Sequence, residues 1–353
     1  MGIRQQEILS VLNNPLARVQ QQTGFIPVDV RPKPNGHDVV WMDVGEYAFT
    51  KAKFEHSIRQ LATASTLVET LTTDIELLAN QDFLSDVLYP SGFIFHMSRC
   101  GSTLFAKALA RTPQHIVIDE GTPLNDGLWH YLTGGWQKPI AYTEQAKTIY
   151  RNLVLALGRR RTNEQQAYFV KFRSWNAVFM DFITQIFPDV PVLFIYRDPV
   201  EVLVSGQWNR VWTLDLKGLE PGAYMTGCPL PATQAMDDLT FLAKFYARYF
   251  STALQAKTNR LTYLNYEQLT QANFPKILKH AFGYQASAEQ LAFMETQFGY
   301  YSKDDEDVVH FTSDKQAKQQ AATQAMRQLV DQEMLGLYQQ LDRSERNLAK
   351  WLK

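Results

Sequence analysis

Short runs of consecutive apolar residues alternate with helical patterns from residue 92 onward. The clearest runs are 93–97, 116–118, 168–172 and 190–196, and a helical pattern follows each of them. Continuously apolar strands that alternate with helices are typical of a parallel sheet covered on both faces. The sequence therefore predicts an α/β fold with a central parallel sheet flanked by helices.

The chain on either side of this pattern is different. Residues 25–50 carry loop signals and a β-rich stretch at 39–41, whereas 51–88 has an apolar face at helical spacing. That face consists of Phe54, Ile58, Leu61, Leu67, Leu71, Ile75 and Leu78. The chain from about 314 is helical in pattern and polar. We predict an N-terminal α/β appendage over 1–88 and a main domain over 89–353 that ends in a helical C-terminal tail.

Bulk composition limits the possible partners. The 353 residues are 45% hydrophobic and 20% charged, with a net charge of -1, so no general electrostatic field favours nucleic acid. An anion site must therefore be local. Two cysteines, Cys100 and Cys228, do not make a disulfide framework or a structural zinc site. Because no apolar run is long enough for a membrane helix and the N-terminus has no secretory pattern, we expect a soluble, cytoplasmic protein.

The segment Ser98–Thr103 joins the first apolar run to a helix through small residues. Backbone N–H groups at the start of such a helix bind anions, and the helix dipole favours negative charge there. Ser102 adds a hydroxyl donor and Arg99 adds a fixed positive charge. A Walker A loop would place Lys directly after Gly101, where Ser102 stands. The segment predicts an anion-binding loop of another type; the alternative is a plain strand–turn–helix connection.

A second motif follows the most apolar run, which ends at Tyr196. Pro199 suits the first position of a helix, and Asp198 is a suitable N-cap. Arg197 stands at the carboxyl end of a buried strand, the edge at which open α/β sheets bind ligands. Ser205 follows eight residues after Arg197. An Arg fork and a hydroxyl together can bind a monophosphate; the alternative is an Arg–Asp pair that caps a helix.

The two motifs, in this order and at this separation, resemble the sulfotransferase superfamily that uses 3′-phosphoadenosine 5′-phosphosulfate (PAPS). They read S-R-C-G-S-T and R-D-P-x-E-V-x-x-S, and the resemblance covers about residues 90–270. With Arg99 as the loop cation, the chain is closer to the bacterial and tyrosylprotein-type enzymes than to the cytosolic phenol and steroid enzymes. Those have Lys in the loop and a catalytic His after a middle strand. The resemblance implies a P-loop-type sheet, PAPS as donor and PAP as nucleotide product.

The resemblance also implies which residues bind the donor. The phosphosulfate loop would consist of Arg99, Cys100, Gly101, Ser102, Thr103 and Leu104. Arg197 and Ser205 would hold the 3′-phosphate, and Tyr266 would lie near the adenine. Lys315 is the predicted contact from the carboxy-terminal part of the chain.

The implied catalytic residues are Glu120, Lys171 and Arg99. Glu120 stands nineteen positions after Gly101, the spacing that the resemblance implies for a glutamate base. An ordinary carboxylate is ionised at neutral pH and can accept the proton of an attacking hydroxyl. Lys171 matches the family's lysine on the middle strand, and with Arg99 it would stabilise charge on the leaving phosphate. The expected reaction is sulfuryl transfer from PAPS to a hydroxyl-bearing acceptor, without a metal ion.

Two other functions fit parts of the sequence. A nucleotide-dependent kinase would need the absent Walker A lysine, whereas a non-catalytic nucleotide-binding module would not need Glu120 together with Lys171. The acidic run 304–307 lacks EF-hand spacing and is predicted to be a solvated loop. The basic run 159–161 is predicted to be a solvated helix end. The N-terminal segment and the aromatic stretch 129–136 are expected to shape an acceptor pocket, but neither the acceptor nor the oligomeric state can be read from the sequence.

Overall fold

A computed structural model of the chain describes residues 14–64, 68–80, 84 and 86–352. The first thirteen residues of the predicted appendage, and Leu67 of the predicted helical face, lie outside this description. The strands are β1 Phe25–Lys33, β2 Gly36–Asp43, β3 Thr70–Asp74, β4 Gly92–His96, β5 His115–Asp119, β6 Ala167–Lys171, β7 Val192–Tyr196 and β8 Leu261–Asn265. The helices are α1 Pro15–Gln21, α2 Phe54–Ala64, α3 Ser102–Leu109, α4 Asp126–Leu132, α5 Glu144–Leu157, α6 Met180–Ile186, α7 Pro199–Trp208, α8 Glu220–Thr226, α9 Leu230–Ala235, α10 Asp238–Gln255, α11 Phe274–Phe282, α12 Ala288–Glu295, α13 Lys315–Ala321, α14 Gln324–Glu333, α15 Leu335–Arg343 and α16 Ala349–Leu352.

The strands form two sheets. One is antiparallel with the order β1-β2-β3, and the other is parallel with the order β5-β6-β4-β7-β8. Every residue of β4, β5, β6 and β7 is buried, which explains their continuously apolar sequences. The predicted α/β fold with a parallel sheet flanked by helices is confirmed, and so is the helical C-terminal region. The P-loop identity of the sheet stays a prediction.

Contacts divide the chain into two compact units. The first comprises Met1–Pro90 with Pro113–Val170, and the second comprises Ser91–Thr112 with Lys171–Lys353. The proposed domain boundary at residue 88 stays a prediction. The second unit thus combines residues 91–112 with the chain from residue 171 onward. The predicted anion loop lies in residues 91–112.

In the first unit, the prediction of one helix over 51–88 is wrong. Helix α2 ends at Ala64, and Thr70–Asp74 forms strand β3, which pairs antiparallel with β2. The β-branched threonines of this stretch favour a strand, and Leu71 lies opposite Trp41 in the register. Ile75 is buried in a short 3₁₀ turn that follows. Apolar residues on a strand and on the next turn had together mimicked a helical spacing.

The prediction that the basic run 159–161 is solvated is also wrong at Arg159. Its side chain is fully buried in the first unit, where it donates to the carbonyl oxygens of Val19, Gln20 and Phe25. Burial lowers the pKa of Arg159 to about 10, so the guanidinium stays charged at neutral pH. Through the carbonyl groups that its Nη1 and Nη2 atoms bind, this arginine ties residues 19–25 to the end of α5.

In the second unit, β7 pairs in parallel with β4 on one side and with β8 on the other. The register sets His96 opposite Ile195, and Tyr196 opposite Asn265. The residues that follow these three strands therefore emerge at one edge of the sheet. That edge, at the carboxyl ends of the strands, is where open α/β sheets bind ligands.

Polar side chains cap α7, which leaves this edge, and α12, which follows later in the chain. The Asp198 carboxylate accepts from the Glu201 N–H at 3.1 Å, which confirms the predicted N-cap of α7. A capping box starts α12, with Ser287 and Gln290 bonded reciprocally. Helix starts could be predicted because a cap is a local interaction within four residues.

The C-terminal tail belongs to the second unit and is fixed to β8. The Tyr263 N–H donates to the Arg346 carbonyl and the Leu348 N–H donates to the Tyr263 carbonyl, both at 2.9 Å. The Asn265 side chain donates to the Tyr338 hydroxyl at 2.9 Å. The helical tail thus continues the fold and holds the last residue of β8 in place.

Candidate functional site

The turn between β4 and α3 has an unusual backbone. Ser98, Arg99 and Gly101 all have left-handed φ angles, of 79°, 53° and 79°. For the two residues that are not glycine, this conformation costs on the order of 1–3 kcal/mol each, so the surrounding structure must enforce it. Helix α3 begins directly afterwards, and Gly101 has no side chain with which to cap it. The main-chain N–H groups of the first turn thus remain available to a ligand.

His96, the last residue of β4, enforces part of this turn. One ring nitrogen, Nε2, lies 3.0 Å from the Phe172 carbonyl, and the other, Nδ1, accepts from the Ser98 N–H at 3.0 Å. A carbonyl can only accept, so the neutral ring carries its proton on Nε2. His96 is not spaced from other histidines or cysteines as a metal ligand would be, so sequence alone predicts no role for it. Its role is to hold the first left-handed residue.

Cys100 of the turn and Lys171 at the end of β6 are both buried, and the charge of Lys171 acts on Cys100. The Cys100 thiol donates to the Ile195 carbonyl at 3.2 Å, and burial raises its pKa to about 11. Cys100 is therefore a neutral thiol and a packing residue rather than a nucleophile. The Lys171 ammonium group is fully buried, and its charge acts on Cys100 in the direction that lowers the thiol pKa. A cation thus lies beneath the loop, inside the second unit.

Gly101 is required by its neighbour as well as by its φ angle. A Cβ atom at this position would lie 2.8 Å from two ring carbons of Tyr266 and 3.2 Å from a methyl carbon of Leu269. The Tyr266 ring, which directly follows β8, therefore rests against the loop. The structure brings together two predicted binding residues that are 165 positions apart in the sequence.

Arg197 joins the two motifs. Its guanidinium carbon lies 4.2 Å from the centre of the Tyr266 ring, and Nη1 donates to the Arg99 carbonyl at 3.4 Å. Nε donates to the Glu201 carboxylate at 2.6 Å. Burial works to lower the pKa of Arg197, but the neighbouring carboxylates, Glu201 first among them, raise it above its ordinary value. The Arg197 side chain therefore stays positively charged, and its contacts with Tyr266, the Arg99 carbonyl and Glu201 hold it in position.

Glu201 and Ser205 lie one helical turn apart on α7. Glu201 is buried and accepts from Arg197 and from the Gln319 side chain, the latter at 3.2 Å. Ser205 is also buried, and the i,i+4 spacing puts it on the face of α7 that carries Glu201. Sequence analysis assigned no role to Glu201. The signal was its i,i+4 spacing from Arg197, which is typical of an ion pair on a helix.

Two lysines of the carboxy-terminal part of the chain, Lys315 and Lys318, lie in α13 and differ in burial. Lys315 is half-exposed and paired with Glu267. Lys318 is only 3% exposed and donates to Asp314 at 2.6 Å, while Asp314 also accepts from Arg197 Nη2 at 3.1 Å. Burial, together with the charge of Arg197, lowers the pKa of Lys318. Lys318 is therefore the buried cation beside Arg197, and Lys315 stays a prediction.

The other predicted residues occupy the turn itself and the first unit. Ser102, Thr103 and Leu104 form the first turn of α3. The Arg99 side chain donates to the Asn209 carbonyl at 3.0 Å, just beyond the end of α7. Glu120 belongs to the first unit, directly after β5, with a left-handed φ of 56°. The role of Glu120 stays a prediction.

The acidic run 304–307 is not simply a solvated loop. Lys107 of α3 is buried and donates to the Asp304 carbonyl at 2.7 Å and to the Asp307 carboxylate at 2.6 Å. Arg111 also donates to Asp307. These ion pairs anchor the helix that begins at the anion loop. The partners of the acidic run lie about 200 residues away in the chain, so a local sequence pattern cannot reveal them.

No known family model matches the chain, and no curated protein matches it. Within the described ranges, no three or more His, Cys, Asp or Glu side chains are grouped so that they could hold a metal ion. The helices of those ranges include none that is long and apolar enough to cross a membrane.

The donor set of the second unit fits an anionic ligand. The loop offers main-chain N–H groups and leaves no room for a side chain at Gly101, and Arg197, Lys171 and Lys318 are buried cations. Charge-assisted hydrogen bonds from such groups are the ones with which proteins bind phosphate and sulfate oxygens. These residues therefore fit a ligand that carries phosphate or sulfate groups.

Proposed function

We propose that this protein is a sulfotransferase that moves a sulfuryl group from PAPS to a hydroxyl-bearing acceptor. The observation that carries the proposal is the junction of the two motifs. Arg197 of the second motif contacts the Arg99 carbonyl, and the Tyr266 ring packs on both Gly101 and Arg197. The sequence resemblance supplies the identity of the ligand, and the geometry supports a single site that uses both motifs.

Two subsites follow from this arrangement. The first turn of α3 would bind the 5′-phosphosulfate through main-chain N–H groups, with the Ser102 and Thr103 hydroxyls beside them. Arg197 and Ser205 would bind the 3′-phosphate, which ATP and AMP lack. Tyr266 lies against Gly101 and Arg197, where it would meet the nucleoside between the two anionic groups.

In this reaction the protein would position the two reactants and stabilise the charge that develops during transfer. When bound, PAPS supplies the sulfuryl group: a sulfur–oxygen bond to the acceptor forms while the bond to the 5′-phosphate breaks, and PAP leaves. Lys171 and Arg99 would stabilise the negative charge that remains on the 5′-phosphate. Glu120, assigned from the resemblance alone, would accept the acceptor's hydroxyl proton on a carboxylate oxygen. The free thiols of Cys100 and Cys228 agree with a reducing compartment, so we also propose a cytoplasmic location.

Calorimetric titration with PAP, 5′-AMP and ATP plus Mg²⁺ tests the donor site. We expect PAP to bind at least about 30-fold more tightly than AMP, because a charge-assisted bond to the 3′-phosphate contributes about 2 kcal/mol. Ser205→Ala should weaken PAP binding about tenfold and leave AMP binding unchanged. Ser251→Ala is the matched control, since that hydroxyl only donates to the Arg248 carbonyl within α10.

Two outcomes would count against the proposal. Equal affinity for PAP and AMP would show that the protein has no binding site for the 3′-phosphate. Binding of ATP with Mg²⁺ in the absence of any PAP binding would favour the kinase, despite Ser102 at the position of the Walker A lysine.

A further inference from the structure

Asp314 bridges two buried cations of the candidate site. One carboxylate oxygen accepts from Arg197 Nη2 at 3.1 Å, and the other accepts from Lys318 Nζ at 2.6 Å. The Asp314 side chain is 49% exposed, whereas those of Arg197 and Lys318 are 6% and 3% exposed. The carboxylate is therefore the solvent-facing member of a cluster whose cations are hidden.

The carboxylate is not engaged in capping its own helix. Asp314 stands at the N-cap of α13, where an aspartate side chain ordinarily accepts from an N–H group of the first turn. It makes no such bond. The side chain instead reaches Arg197, which is 117 residues away, and Lys318, one turn further along α13. Its interactions are those of an anion bound at the site rather than those of a helix cap.

We propose that Asp314 is a resident competitor that occupies the place of the ligand's phosphate on Arg197 and Lys318 and leaves when that phosphate binds. The inference rests on the proposed function in naming the 3′-phosphate of PAP as that ligand group. With Asp314 in place, two cations, Arg197 and Lys318, face two carboxylates, Glu201 and Asp314. Removing Asp314 leaves one net positive charge, and a phosphate carries more negative charge than the carboxylate it replaces.

If Asp314 competes with the phosphate, removing the carboxylate should raise the affinity for PAP. When only a fraction of the molecules is free to bind, the apparent affinity falls by that fraction. If Asp314 occupies the cations about nine times in ten, Asp314→Asn binds PAP about tenfold more tightly than the wild type. Asn has the same size and keeps one oxygen for Lys318, so the fold is preserved. The ligand-free variant should melt at a lower temperature, because two buried cations retain only Glu201 as a countercharge.

The test is a calorimetric titration of wild type, Asp314→Asn and the control Asp331→Asn with PAP and with 5′-AMP. Asp331 is an exposed aspartate of α14. We expect tighter PAP binding only in Asp314→Asn, and no change in AMP binding in any of the three proteins. Asp314→Ser removes the carboxylate in a second way and should bind PAP more tightly as well.

The outcomes separate this inference from the proposed function. If wild type and Asp314→Asn bind PAP equally well, the competitor role is wrong and the donor site stands. If neither binds PAP, the proposed function fails, and the same proteins are titrated with inorganic phosphate. Tighter phosphate binding by Asp314→Asn would then keep Asp314 as a competitor for another phosphate ligand, and equal or absent binding would overturn the inference.

Discussion

Glu120→Gln is expected to reduce sulfuryl transfer about 10²–10⁴-fold while PAP affinity stays within about twofold of the wild type. The factor is the usual contribution of a general base, which an amide cannot replace. Gln keeps the length of the side chain and is no harder than Glu to accommodate at the left-handed φ of 56°, so the backbone is left undisturbed. The measurement is the rate of PAP release from PAPS with the best acceptor from a panel of phenols and alcohols.

Glu144→Gln provides the control for this prediction. Glu144 is an exposed residue of the first turn of α5 that pairs with Lys147. Its replacement should leave both transfer and PAP binding unchanged. Wild-type turnover in Glu120→Gln would show that another group takes the proton, although the donor site could still be correct.

Lys171→Met is expected to reduce transfer about 10²–10³-fold in protein that still folds. A fixed charge that stabilises a developing negative charge in a site shielded from water contributes a factor of this size. Met has nearly the length of Lys and is apolar, so it fits a fully buried position at the end of β6.

Lys107→Met is the matched control, because Lys107 is a second buried lysine of the same unit. It pairs with Asp307 and anchors α3. We expect the opposite pattern there: a lower melting temperature from the broken ion pair, with transfer by the folded protein largely retained. A Lys171→Met protein with a lower melting temperature and a normal rate of transfer would show that the role of Lys171 is structural.

The parts of the fold that sequence predicted are those set by local patterns. The buried strands of the parallel sheet could be recognised because their central residues form short apolar runs, and the Asp198 cap because its partner is three residues away. Strand β3 was missed because a strand and a short turn together imitated a helical period. Whether this stretch forms a strand or a helix depends on the pairing of β3 with β2. Strand β2 lies too far away in the chain to be part of the local sequence pattern.

The parts of the site that sequence missed depend on contacts between distant positions. Arg197 was predicted from its place at the end of a strand, but its partner Asp314 lies 117 residues further on. Lys318 was not predicted, because only the packing of α13 decides that this lysine is buried while Lys315 is half-exposed. His96 holds the anion loop by using both ring nitrogens, which a search for ligand spacing does not detect.

The most direct test of the central claim is transfer of ³⁵S-labelled sulfuryl from PAPS to a panel of phenols, alcohols and sugars. The site predicts a labelled product, formed with one PAP released for each sulfuryl group transferred, and no such product from the Lys171→Met protein above about 1% of the wild-type rate. A protein that binds PAP tightly but neither transfers the label to any acceptor nor releases it to water would contradict this account and would instead be a non-catalytic nucleotide-binding module.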